Sequence, residues 1–176
     1  MLTTKILNTI GTKSLLIDTN FLIDALRHSD EFRSLIDVLK NKEVKLSTSE
    51  FVLLEFFKGI DTKQHFVFKK NLYEKLSVII HSSNEEFFAN TSDMLFVYRK
   101  QGMSLDATDL YLSGMLKKLQ KESLLLTRNH SDFPTTLFDR VGVINVELET
   151  TILSYSLLKF SREKYSLAVD NFLKSK

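Results

Sequence analysis

The hydrophobic positions of the chain form short continuous runs, and longer stretches with helical spacing separate these runs. Runs such as residues 15–17, Leu-Leu-Ile, do not alternate with polar residues, so each predicts a strand that is covered on both faces. We expect strands at 14–18, 44–47, 76–80, 123–127 and 141–146. Because helical segments lie between them, the pattern predicts an α/β fold with three α/β/α layers and a mostly parallel central sheet.

The intervening segments carry the apolar spacing and the capping residues of helices. We expect helices at 20–28, 30–41, 49–59 and 61–74. The stretch "SNEE" at 83–86 is typical of a capping box, and it predicts a helix that runs to about Arg99. A further helix is expected to begin at Ser104, which is a suitable N-cap residue.

The last segment, 148–174, has the pattern of a long amphipathic helix. One stripe of that helix would contain Leu148, Ile152, Tyr155 and Leu158. It would pack on the domain or on a partner. With 176 residues and no linker-like stretch, we predict a single domain over 1–176, with a core at about 14–146 and a C-terminal helical extension at 148–174.

The composition narrows the classes of function. The absence of cysteine excludes disulfides, thiolate metal sites and cysteine nucleophiles. A net charge of +2 neither requires nor excludes nucleic acid as a partner. No apolar run reaches the roughly 18 residues of a membrane span, and residues 1–13 lack the apolar core of a signal peptide. We therefore expect a cytoplasmic protein with no membrane partner.

A carboxylate follows the first predicted strand, in "SLLIDTNFLIDAL" at 14–26. Asp18, Thr19 and Asn20 are all good N-cap residues, so this stretch by itself favours a cap at a strand-to-helix turn. The alternative is a metal-binding acid, because α/β folds place their ligands at the carboxyl ends of parallel strands.

Two more acids have apolar neighbours. Glu55 lies in "FVLLEFF" at 51–57, a helix so apolar on all sides that we expect it to be largely buried. A buried carboxylate needs a cation or hydrogen bonds. The structural alternatives are a salt bridge to a lysine or arginine, or exposure on a narrow polar strip with Lys58. Asp109 extends the inward stripe of Leu112 and Leu116 toward the start of its helix. Asp106 lies one turn earlier and can face the same point, or can simply offset the helix dipole.

A fourth acid, Asp132, follows the predicted strand at 123–127 in "LLLTRNHSDF". Parallel strands end at the same edge of a sheet, so Asp18 and Asp132 are expected near each other. The start of the helix that carries Asp109 is expected at that edge as well. Several carboxylates that converge without basic residues are the ligands of a hard divalent cation, Mg²⁺ or Mn²⁺. Such a cation can activate water and clamp a phosphate for phosphodiester hydrolysis.

These motifs, in this order, resemble the PIN-domain ribonuclease family over about residues 14–146. The resemblance rests on Asp-Thr-Asn after an aliphatic strand, Glu55 four residues before Gly59, "TDLYLSGML" and "LLLTRNHSDF". It implies that the three principal metal-binding acids are Asp18, Glu55 and Asp109. With Asp18 among them, the metal-ligand interpretation of that residue is preferred over the cap alone.

The resemblance also assigns the residues around these acids. Thr127 and Asn20 match polar residues that orient the acids. Many relatives have an aspartate where this chain has Asn129, so Asp132 is the substitute for the fourth acid. Asp106 has no firm counterpart in the family, and we keep it with Asn129 as a candidate that supports the acids.

The implied function is a Mg²⁺- or Mn²⁺-dependent endoribonuclease that acts on single-stranded RNA, similar to the toxin ribonucleases of VapC-type toxin–antitoxin pairs. Its partners would be RNA and an antitoxin protein, and a homodimer is an open alternative. The rival functions are a PIN-like scaffold that does not cut, and a metal-dependent DNA or flap nuclease. The basic residues that could contact phosphate, or could equally be solvated surface, are Lys69, Lys70, Arg99, Lys100, Lys117, Lys118 and Arg128.

Overall fold

The computed structural model describes residues 3–174, which contain a six-stranded sheet and eight α-helices. The strands are β1 (Ser14–Ile17), β2 (Leu46–Ser49), β3 (Ile79–His81), β4 (Ser123–Thr127), β5 (Phe138–Glu147) and β6 (Ile152–Phe160). The helices are α1 (Thr4–Ile10), α2 (Thr19–Arg27), α3 (Ser29–Asn41), α4 (Glu50–Phe57), α5 (Lys63–Leu76), α6 (Glu85–Lys100), α7 (Ala107–Leu119) and α8 (Arg162–Lys174).

The strands are arranged in the order β3-β2-β1-β4-β6-β5. The pairs β3–β2, β2–β1 and β1–β4 are parallel, whereas β6 runs antiparallel to both of its neighbours. The apolar strands β1 and β4 lie side by side at the centre, and Leu16 is paired with Leu125. Both strands are buried along their apolar lengths, as the absence of alternation predicted. The expected fold class, a mostly parallel α/β sheet, is confirmed.

The helices cover both faces of the sheet. The connections from β1 to β2 and from β2 to β3 step across the sheet in one direction, and they contain α2 to α5. The connection from β3 to β4 steps back and contains α6 and α7. Since crossovers between parallel strands are right-handed, the two sets of helices lie on opposite faces. The chain reverses its winding direction between β1 and β4.

The predicted helix at 148–174 is wrong in its first half. Residues 152–160 form β6, which is hydrogen-bonded to β4 on one side and to β5 on the other, and the helix begins only at Arg162. Tyr155, Leu157 and Leu158 are buried in the core. Apolar residues at these positions fit both a helical stripe and a covered strand, and pairing on two sides decides for the strand. The core therefore extends past 146, to the end of β6.

Several boundaries also differ from the sequence prediction. The helix α1 was not predicted. Ser104 does not cap α7, because that helix begins three residues later with Asp106 at the N-cap position. Ser83 does not cap α6 either: the side chain of Asn84 accepts the capping bond, and Ser83 bonds to Glu50. Among residues 3–174, no helix is both long enough and apolar enough to cross a membrane.

Candidate functional site

The turns that follow β1 and β4 meet at the carboxyl edge of the sheet, where the winding direction of the chain reverses. In open α/β sheets the helices diverge at such a point and leave a crevice that binds ligands. Asp18 directly follows β1 and Thr127 is the last residue of β4. The sheet topology therefore brings together the two polar turns that the sequence predicted to lie at one edge.

Asp18 is buried, with 3% of its surface exposed, and both of its carboxylate oxygens are hydrogen-bonded. Oδ1 accepts from the backbone N–H of Phe21 at 3.0 Å, so Asp18 is the N-cap of α2. Oδ2 accepts from the Thr127 hydroxyl at 2.5 Å and from the Asn20 amide at 3.3 Å. Burial raises the pKa of Asp18 to about 6; these three donors lower it only in part, and the charge of Asp24 raises it further.

Glu55 and Lys58 are both exposed, so the expectation of a largely buried helix is wrong and the alternative of an exposed polar strip applies. The helix α4 buries only Val52 and Phe56, and it leaves Leu54 with 68% of its surface exposed. The helix α4 therefore has apolar residues on every side although it is not enclosed by protein. The Glu55 carboxylate accepts a hydrogen bond of 2.6 Å from the hydroxyl of Thr19, the first residue of α2. This bond holds Glu55 beside the residue that follows Asp18.

Asp109 lies in the first turn of α7 and is half-buried. Burial is the main reason that its pKa is raised to about 7, followed by the negative charges of Asp132, Asp18 and Glu55. The nearby carboxyl of Asp132 also stabilises the protonated form of Asp109. Three acids from three separate turns or helices thus act electrostatically on a fourth. We call Asp18, Glu55, Asp109 and Asp132 the acid cluster.

The turn after β4 fixes Asp132. Its carboxylate accepts a hydrogen bond from the side chain of Asn129, and its backbone carbonyl accepts one of 3.0 Å from the hydroxyl of Tyr98. The same Tyr98 hydroxyl is 2.9 Å from Ser113, whose own hydroxyl donates to the carbonyl of Asp109. Tyr98 and Ser113 therefore connect the backbones of two acids, and nothing in their local sequence indicated this.

Asp106 occupies the position just before the first residue of α7. It is exposed at the N-cap position of α7, and its side chain makes no capping hydrogen bond. In the part of the chain that the structure describes, no hydrogen bond or ion pair joins its carboxylate to the other acids. Asp106 is the N-cap residue, with extended backbone angles, so it precedes the first helical turn and the i, i+3 relation between helical residues does not apply to it and Asp109.

A second buried carboxylate, Asp24, was missed by the sequence prediction. It lies on α2 with 5% of its surface exposed. Its Oδ2 accepts a hydrogen bond of 2.5 Å from Tyr155 on β6 and forms an ion pair of 3.2 Å with Nε of Arg128. The signal was present, since Asp24 stands among apolar residues in "FLIDAL", the same pattern that singled out Glu55.

Within residues 3–174, no three aspartate, glutamate or histidine side chains are grouped closely enough to hold a metal ion as they stand. The donor chemistry nevertheless fits a hard divalent cation, because the acid cluster is made of carboxylates and no basic side chain among the described residues is bonded to it. The raised pKa values of Asp18 and Asp109 reflect burial first. The negative charge of Asp24 adds to the shift at Asp18, and the charges of Asp132, Asp18 and Glu55 add to the shift at Asp109.

Comparison with known proteins identifies solved structures that have a similar fold. No protein-family model and no curated protein matches the sequence. Three solved structures are similar, each over about two thirds of this chain. VapBC2 from Rickettsia felis, bound to a DNA fragment from the promoter, is 20% identical with a TM-score of 0.56, and the match covers 68% of this chain and 90% of that chain. DNA-bound VapBC from Salmonella typhimurium is 14% identical with a TM-score of 0.56, and the match covers 69% of this chain and 90% of that chain. VapBC-1 from nontypeable Haemophilus influenzae is 21% identical with a TM-score of 0.55, and the match covers 68% of this chain and 89% of that chain. At these identities the likeness is one of fold.

Proposed function

We propose that the chain is a divalent metal-dependent endoribonuclease that hydrolyses single-stranded RNA, and that it acts as the toxin of a toxin–antitoxin pair. The observation that carries the proposal is the convergence of the acid cluster at the reversal point of the sheet. The negative charges of Asp132, Asp18 and Glu55 all raise the pKa of Asp109. Such a concentration of like charge opposes folding unless a cation neutralises it.

Asp18, Glu55 and Asp109 would hold the metal, and Asp132 would be the fourth acid. Mg²⁺ or Mn²⁺ bound there would supply an activated water and charge to clamp a phosphate. The protein's own contribution is to orient the acids. Thr127 and Asn20 fix the orientation of Asp18 through their hydrogen bonds to Oδ2.

Thr19 would orient Glu55, and Asn129 would orient Asp132. The Thr19 hydroxyl donates to Glu55, and the Asn129 side chain donates to Asp132. Thr127 connects the two groups, because its hydroxyl also accepts the backbone N–H of Asn129 at 2.9 Å. The Thr127 hydroxyl thus accepts from Asn129 and donates to Asp18, and it links the turn after β4 to Asp18. Asp132 and Asp18 are thus held by one chain of hydrogen bonds.

The toxin role and the antitoxin partner are proposed from the fold. The chain covers about nine tenths of the matched chain in each VapBC structure. Each of those structures is a VapBC assembly, and two of them hold DNA. The fold alone is shared with many functions, so the toxin role rests on the fold and the acid cluster together.

A cleavage assay tests the proposed activity. Purified protein is incubated with an unstructured RNA and with DNA of the same sequence, in Mg²⁺, in Mn²⁺ and in EDTA. We expect metal-dependent cutting of the RNA, loss of cutting in Asp18→Asn, and unchanged cutting in Asp30→Asn. Asp30 is a suitable control because it lies on the surface and pairs with Arg33 on α3.

Each other outcome points to a rival function. Cutting of the DNA at an equal rate would favour a DNA or flap nuclease. No cutting of either substrate, together with no effect of metal on stability, would favour a scaffold that keeps the fold without the chemistry. Activity that persists in Asp18→Asn would place the active site elsewhere.

A further inference from the structure

We propose that Arg128 binds a phosphate of the nucleic-acid substrate, and that the buried pair of Asp24 and Tyr155 holds its guanidinium in place for this task. The inference rests on the proposed function, since it supplies the cation that a polyanionic substrate needs beside a cluster of acids. Arg128 is the residue after Thr127, whose hydroxyl bonds to Asp18. It therefore stands at the carboxyl edge of the sheet, next to the acid cluster.

The structure separates Arg128 from the other basic residues that the sequence offered for phosphate contacts. Most of these are engaged in helix-to-helix or local contacts: Lys69 with the Phe56 carbonyl, Lys70 with Glu74, Lys100 with the Phe96 ring, Lys117 with Asp93, and Lys118 with Glu86. Arg128 instead pairs with a buried acid on α2, the helix that Asp18 caps.

The anchor of Arg128 is rigid. Tyr155 has no exposed surface, and its ring packs edge-to-face against Phe21 and Phe32. Its hydroxyl donates to the same oxygen of Asp24 that faces Arg128. Asp24 is therefore fixed by the core, and it in turn fixes one corner of the guanidinium. A cation ordered in advance loses less side-chain entropy when it binds a phosphate.

The geometry of the ion pair leaves the rest of the guanidinium available. The contact to Asp24 is made by Nε, at 3.2 Å, and the Arg128 side chain keeps 37% of its surface exposed. In residues 3–174, no hydrogen bond or ion pair engages its two terminal amino groups. The two amino groups of an arginine can donate two parallel hydrogen bonds to two oxygens of one phosphate. If Arg128 served only to neutralise Asp24, a two-bond fork toward that carboxylate would be the stronger arrangement.

The test must separate phosphate binding from the neutralisation of Asp24. We measure binding of a short fluorescent single-stranded RNA by anisotropy over a range of salt concentrations. Every variant also carries Asp109→Asn, which prevents cutting. Arg128→Gln removes the cation but leaves Asp24 unpaired. The double variant Asp24→Asn with Arg128→Gln removes both charges, and Asp24→Asn alone keeps the cation.

We expect both variants that lack Arg128 to bind RNA roughly tenfold or more weakly, because a lost phosphate contact weakens binding to every sequence. The slope of log affinity against log salt should fall by about 0.7, the value for one contact to a single strand. Asp24→Asn alone keeps the cation but loses the carboxylate that orders it, so it should keep the full slope and weaken binding by less than either variant that lacks Arg128. Arg33→Gln, an exposed arginine paired with Asp30, is the matched control and should change neither quantity.

Restored affinity and slope in the double variant would overturn the inference, since it would show that Arg128 only neutralises Asp24. The inference is also overturned if Arg128→Gln behaves like Arg33→Gln while the unmodified chain cuts RNA. If the unmodified chain neither cuts nor binds RNA, the proposed function itself fails, and this inference falls with it. The cleavage assay on the unmodified chain distinguishes these two failures.

Discussion

The Thr127 hydroxyl donates a hydrogen bond of 2.5 Å to Oδ2 of Asp18, and this bond ties together the carboxyl ends of the adjacent parallel strands β1 and β4. The other carboxylate oxygen caps α2 through Phe21. Asp18 therefore has a structural task and is also oriented at the edge of the sheet. The cap and the metal-ligand interpretations, which the sequence set against each other, use different oxygens and are compatible.

Replacing Thr127 tests how much this orientation matters. In Thr127→Val the donor is lost, so the pKa of Asp18 should rise further and RNA cleavage should fall at least tenfold. Stability should fall by about 1–3 kcal/mol, the usual cost of leaving a buried polar group without its partner. Urea denaturation and initial cleavage rates measure the two effects.

Thr127→Ser is the control for this prediction, because it keeps the hydroxyl and loses only a methyl group. It should keep most of the activity. Equal activity in the valine and serine variants would mean that the hydroxyl does not orient Asp18 for the reaction.

Asp109 and Asp106 should respond differently to the same substitution. Asp109→Asn should abolish cleavage and leave the metal-free fold as stable as before or more stable, since it removes a charge from a site where three other acids raise its pKa. Asp106→Asn should keep most activity and cost at most about 1 kcal/mol, because Asp106 is exposed and makes no capping bond.

Cleavage and thermal melting of both variants, beside the unmodified chain, measure this difference. Complete loss of cleavage in both would mean that Asp106 also belongs to the site. An exchange of the two phenotypes would mean that the assignment is shifted by one helical turn.

The sequence predicted where its candidate acids lie in the fold better than it predicted their burial. Asp18 and Asp109 were singled out because Asp18 directly follows an apolar strand and Asp109 extends an apolar stripe. Asp24 and Glu55 show the limit of that signal, since both stand among apolar residues, yet Asp24 is buried and Glu55 is exposed. The tertiary neighbours decide the difference. Tyr155 on β6 and Arg128 after β4 contact Asp24, whereas Glu55 bonds to Thr19 and stays exposed.

The fold shows the same limit. The covered strands β1 and β4 were predicted because continuous aliphatic runs bounded by turn residues have few other structures available. The strand β6 was mistaken for part of a helix, because its apolar residues also fit a spacing of three and four. It pairs with β4, from Leu125–Leu158 to Thr127–Ser156, and these partners are far apart in the sequence. Periodicity within a segment carries no information on such a partner.

Divalent metal should stabilise the fold through the acid cluster. A ligand that binds only the folded state raises the free energy of unfolding by about 2.7 kcal/mol at a hundredfold excess over its Kd. We expect Mn²⁺ or Mg²⁺ at millimolar concentration to raise the Tm relative to EDTA. Differential scanning calorimetry of the unmodified chain measures the shift.

The matched variants locate the metal. The upward shift should disappear in Asp18→Asn and persist in Asp30→Asn, whose side chain is paired on the surface of α3. A shift of equal size in both variants would place the metal outside the cluster.

The stability of the metal-free protein should depend on pH in a direction set by Asp18 and Asp109. Their pKa values in the folded state are about 6 and about 7, both above the ordinary value of 3.8. At pH values between the ordinary pKa and these raised values, the folded state holds more protons than the unfolded state, so the free energy of unfolding falls as the pH rises. The loss should begin near pH 4 and be complete above about pH 7. Urea denaturation in EDTA at several pH values measures this slope.

Single substitutions assign the slope to the cluster. Asp109→Asn cannot lose a proton, so it should flatten the upper part of the pH profile, and Asp18→Asn should flatten the lower part. Asp30→Asn should leave the profile unchanged, because Asp30 is exposed on the surface. Saturating Mn²⁺ should also reduce the slope, since a bound cation favours the charged carboxylates in the folded state. A free energy of unfolding that rises with pH across this window in EDTA would contradict the placement of these two acids in a buried, mutually repelling cluster.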